Sequence, residues 1–137
     1  MKPFFQNVGD YLESQKVAFF VRWRETARSD ARLPAQRLSF SDSELEDHLP
    51  SLIAQIISAL KVGEIPWEAI GLEGARHGHT RRGDGYTVTQ LIWEFSIFHR
   101  LLRETLEELA ANADPKEIFE AREFVMELAD LSELSSV

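Results

Sequence analysis

The sequence predicts an all-α protein, an antiparallel bundle of about five helices. Two observations carry that expectation: apolar residues recur at helical spacing along most of the chain, and several segments open with helix-capping residues. A third is negative, since no segment reads as a convincing strand and no internal repeat occurs. At 137 residues the chain fits one domain, 1–137, with room for one sizeable core.

Val8, Leu12, Phe19 and Trp23 fall on one helical stripe, widened by Val17 and Phe20, and define the first helix. Residues 29–39 mix small and charged side chains around Pro34 and read as a loop, because the Leu33–Pro34 step disfavours continued helix. Ser41 with Glu44 then forms a capping-box signature, and Phe40 is placed to staple onto Leu45. Pro50 kinks that segment or restarts it as a new helix, whose apolar face is Leu52, Ile53, Ile56, Ile57 and Leu60.

Residues 63–66 break this helix, and a third is expected from 67 to about 82, weakened by Gly71, Gly74 and Gly78. Gly83, Asp84 and Gly85 make a turn, and Thr87 with Gln90 forms a second capping-box signature. It opens the clearest helix of the chain, with Leu91, Phe95, Phe98, Leu102, Leu106 and Leu109 on its core stripe. Asp114, Pro115 and Glu117 supply an N-cap, a first-turn proline and a first-turn acid for a last helix through Phe124, Leu128 and Leu131.

Composition narrows the function. The chain is 44% hydrophobic and 28% charged, in the ordinary globular range. No apolar run is long enough to cross a bilayer, and the opening from Met1 lacks the apolar region of a secretory signal, so a cytoplasmic location is expected. Without cysteine there is no disulfide, thiol catalysis or thiolate metal site. The net charge of −8 resides in residues 104–137, and an acidic total argues against nonspecific nucleic-acid binding.

The unusual stretch is 76–86, which holds Arg76, His77, His79, Arg81, Arg82 and Tyr86. On a helix His77 and Arg81 stand one turn apart on the same face, able to grip a carboxylate or phosphate or to order Glu94. His77, Arg81, Tyr86, Glu94 and His99 are therefore the candidate polar node, which either binds a small anion or only locks the bundle. A metal site is not expected from His77 and His79, because residues two apart on a helix diverge by roughly 200°. No catalytic centre is recognisable and no cofactor is expected. The competing reading uses one histidine for haem ligation, with His99 as the best candidate, or for phosphotransfer.

Trp93, Ile97 and Leu101 give the clearest helix a second apolar face, and Phe124, Leu128 and Leu131 give the last one a coiled-coil-like spacing. These six residues are the expected homodimer interface, since a helix apolar nearly all round is either central to its domain or buried against another chain. The last helix is also the natural lever to an output module.

Asp47, His48, Leu49, Pro50, Ser51 and Leu52, followed by His77, Gly78, Arg81, Gly85, Tyr86, Glu94 and Phe95, resemble the N-terminal sensor domain of the RsbT co-antagonist RsbRD. The resemblance covers about residues 12–131. It implies an all-helical cytoplasmic input domain, as also found ahead of bacterial histidine kinases and other regulators, with an undefined signal. The sequence departs from that family at His99, where an arginine is usual, which bears on any anion site built on that arginine.

Overall fold

The computed structural model describes residues 3–137, so Met1 and Lys2 of the opening segment lie outside it. Six α-helices and one 3₁₀ turn follow in order: α1 (Pro3–Ser29), the 3₁₀ turn (Ala35–Ser39), α2 (Asp42–Glu46), α3 (Leu49–Val62), α4 (Trp67–Gly83), α5 (Val88–Ala110) and α6 (Pro115–Ser136). The all-α bundle is as expected. Of the two outcomes expected at Pro50, a kink or a restart, the structure has the restart: the segment after Ser41 divides at Asp47 into the short α2 and the longer α3, with Pro50 in the first turn of α3.

The caps form as the sequence dictates. Ser41 with Glu44, and Thr87 with Gln90, make complete capping boxes, and the Asp114 side chain accepts from the backbone N–H of Lys116. One cap came from an unexpected residue. Arg37 is buried and donates to the carbonyls of Ala27 at 3.0 Å and Arg28 at 3.1 Å, and to those of Leu33 and Pro34. A guanidinium suits this place because the last carbonyls of α1 have no intrahelical partners and carry the negative end of the helix dipole.

The five long helices close a ring in the order α1, α3, α4, α6, α5 and back to α1. Asp10 facing Lys61 and Arg24 facing Glu46 run α1 antiparallel to α3 and its preamble, while Tyr11 facing Glu108 and Phe19 facing Phe98 run it antiparallel to α5. Inside lies one apolar cluster that includes Trp23, Leu45, Ile56, Phe95 and Phe98. Among the described residues no helix is long and apolar enough to cross a membrane.

The ring pairs α4 with α6 through the glycines. A Cβ added at Gly74 would fall on the Ser132 backbone, 2.9 Å from its Cα, and one at Gly78 would stand 2.8 Å from the Cα of Ser136. Two of the three glycines read as weak points of a helix, Gly74 and Gly78, are thus where two backbones touch, and Arg82 donates to the Ser136 carbonyl at 2.6 Å to close the seam.

The ring also corrects the expected dimer interface. Ile97, Leu101 and Leu128 are buried within the single chain, because α1 and α6 cover the second apolar face of α5. Phe124 is partly buried with its ring 5.1 Å from that of Phe5, and Leu131 is partly buried against the core. Trp93 alone of the six is exposed, with the Arg32 guanidinium stacked 4.3 Å from its ring centre.

Candidate functional site

The expected node exists, and four of its five residues come together. Each turn of α4 presents one of them: His77 and Arg81 point to the same side and meet Glu94 of α5. Arg81 Nε donates to both Glu94 oxygens, at 3.1 and 3.0 Å. Its Nη1 donates to the Glu44 carbonyl at 3.0 Å and its Nη2 to the Leu45 carbonyl, so the guanidinium also caps α2. The rings of Phe40 and Tyr86 lie 5.4 and 5.3 Å from the guanidinium carbon. His77, Arg81, Glu94 and Tyr86 are all buried.

The sequence reading missed the fourth charge. His77 Nε2 pairs with Glu94, while His77 Nδ1 lies 2.9 Å from a carboxylate oxygen of Asp47. Asp47 sits between α2 and α3 with a positive φ of 49°, unusual for a residue other than glycine. Such a backbone costs on the order of 1–3 kcal/mol and persists where the surroundings hold it, here by the contact with His77. Asp47 belongs to the motif that carried the family resemblance, but its pairing across 30 positions has no local signal.

The geometry sets the protonation state. Ionised carboxylates only accept hydrogen bonds, so an imidazole facing one through each nitrogen must donate through both and carry a positive charge. Two cations, His77 and Arg81, then balance two anions, Asp47 and Glu94. Burial alone would push the His77 pKa down, but the Glu94 charge and the bonds to Asp47 and Glu94 outweigh it and hold the pKa above the usual value. Burial likewise opposes ionisation of Glu94 and Asp47, and the neighbouring cations, His77 foremost, bring both below the usual carboxylate range. Burial pushes the Tyr86 hydroxyl upward, so it stays neutral.

An anion-binding node would leave its cations facing a cavity. Arg81 and His77 instead spend their donors on Glu94, Asp47 and the end of α2. His77 is also too deeply buried to serve as an exposed phosphoryl acceptor. An edge-to-face chain of rings connects the node to the core, from His77 to Phe95, Phe98 and Trp23.

His99 stands apart from the node, which corrects the fifth assignment. Its ring packs against Phe95 and Phe98 on the α5–α6 seam, and its nearest charged group is Asp130 of α6 at 3.7 Å. Five residues separate it from Glu94, a rotation that turns it away from α4 and toward α6.

No family model, curated protein or solved structure matches the chain.

Proposed function

We propose that this chain is a cytoplasmic, non-catalytic input domain of a bacterial signal-transduction protein, of the kind that precedes a stress-regulator or histidine-kinase output. In this reading the charge node is a lock and not a ligand site. The observation that carries it is the closed bridge from Asp47 through His77 to Glu94 and Arg81, which fastens the α2–α3 corner, α4 and α5 together.

Three features support this reading. A buried ion pair adds little net stability, because desolvation offsets attraction, but it suits a device that specifies one arrangement over another. Input domains need such an element, with discrete states separated by a few kcal/mol. The node also has a route outward: α4 carries His77 and Arg81 on one side and the glycine seam with α6 on another, so loosening the node changes how α4 seats on α6. The resemblance to the RsbRD-type sensor points the same way, by analogy alone. Self-association belongs to the proposal and rests on Trp93.

The test joins the chain through α6 to the dimerisation and catalytic module of a histidine kinase and measures autophosphorylation. Asp47→Asn, which removes one anion from the partly exposed end of the bridge, is expected to shift the rate by about 5-fold or more, the low end of ordinary coupling between sites. Equal rates for the wild-type fusion, the variant and a fusion lacking the domain would overturn the proposal.

A further inference from the structure

His99 was expected in the polar node and stands outside it, on the seam between α5 and α6, where it meets two carboxylates one helical turn apart. One ring nitrogen of His99, a carboxylate oxygen of Asp130 and one of Glu133 all lie within 4.8 Å of one another. We propose that these three residues form a binding site for a divalent transition-metal ion of the Zn²⁺ type, a site separate from the lock and independent of the regulatory reading.

The distances suit an ion better than direct pairing. His99 Nδ1 and Asp130 Oδ1 are 3.7 Å apart, too far for a hydrogen bond. Two ligands bound at about 2.1 Å to one tetrahedral ion stand about 3.4 Å apart, so a small rotation of the exposed Asp130 carboxylate brings this pair to ligand spacing, and Glu133 closes on the ion by side-chain rotation from within 4.8 Å. His99 faces Asp130 through Nδ1, and its other ring nitrogen, Nε2, is buried with no hydrogen-bond partner.

Two of the three residues, Asp130 and Glu133, lie in the segment 104–137, which carries the whole net charge of the chain.

The donor set selects the kind of ion. One imidazole and two carboxylates are ligands that Zn²⁺ accepts, with a fourth position left for water or an incoming group. Calcium prefers six to eight oxygens, and magnesium retains most of its water. Haem, the cofactor considered for His99 from sequence, needs an apolar slot; two carboxylates beside the ring favour a bare cation instead.

Isothermal titration of the metal-free chain with Zn²⁺ at neutral pH tests the proposal, with Co²⁺ as a spectroscopic probe of the same site. Expected are one ion per chain, a tetrahedral Co²⁺ absorption band, and binding weakened about 10-fold or more by Asp130→Asn and by His99→Gln. The exposed His79 serves as the control, and His79→Gln should bind as the wild type does. Because Asp130 is exposed, its variant keeps the fold, and unchanged circular dichroism would verify this. Absence of binding by either ion, binding that survives both site substitutions, or loss of binding in His79→Gln would each refute the site.

Discussion

At the scale of single residues, the protein buries His77, Arg81 and Glu94 and closes the charge balance with the partly exposed Asp47. Removing one partner leaves an uncompensated buried charge, which costs about 3–5 kcal/mol. Glu94→Gln should therefore lower unfolding free energy by that amount, read from the urea midpoint at constant m-value. A change below about 1 kcal/mol would show that the node is not coupled as described. The pH dependence has a definite sign. The folded His77 pKa lies above its usual 6.5, so its contribution is fully present below that pH and is lost as pH rises through the folded value. Asp47 and Glu94 are shifted down, so theirs is present above the ordinary values of 3.8 and 4.5 and is lost as pH falls through the folded ones. The node thus stabilises most between about 4.5 and 6.5. Of its members, His77, Arg81, Tyr86 and Glu94 were legible because one-turn spacing on α4 and an acid on the next helix are local patterns. Asp47 was not, since a long-range pairing depends on how the α2–α3 corner folds back.

At the scale of elements, helix starts were written in the sequence and helix partners were not. Ser41, Thr87 and Asp114 mark their helices because capping is settled within four residues. The seam of α4 on α6 needed the fold, as it brings Gly74 and Gly78 against Ser132 and Ser136 from more than 50 positions away. Propensity alone says that alanine in place of a helical glycine gains about 1 kcal/mol. Contact says otherwise at two of the three positions. Gly74→Ala and Gly78→Ala are expected to destabilise by about 1–3 kcal/mol through overpacking. Gly71→Ala, whose new Cβ would meet Ser135 Oγ at 3.5 Å, should be neutral or stabilising. Thermal or urea unfolding of the three variants checks the contrast, and similar stabilisation of all three would mean that the seam is looser than described.

At the scale of the whole molecule, the ring of five helices explains why the expected interface went inward. An all-round apolar helix is either central or intermolecular, and periodicity cannot distinguish the two. Here α1 and α6 enclose Ile97, Leu101 and Leu128, which leaves Trp93 as the exposed aromatic of α5 among the residues expected to pair. The self-association in our proposal predicts a light-scattering mass of twice the 15.7 kDa chain, falling to a folded monomer in Trp93→Asp. A wild type that stays monomeric at every concentration would remove dimerisation from the account. The central claim is the closed, charge-balanced node, and nitrogen NMR of the histidine rings tests it most directly. The account predicts that His77 carries protons on both ring nitrogens at pH 6.5, where an ordinary histidine is half-titrated, and that added phosphate leaves its signals unmoved. A neutral His77 ring at that pH, or signals that shift with phosphate, would contradict it.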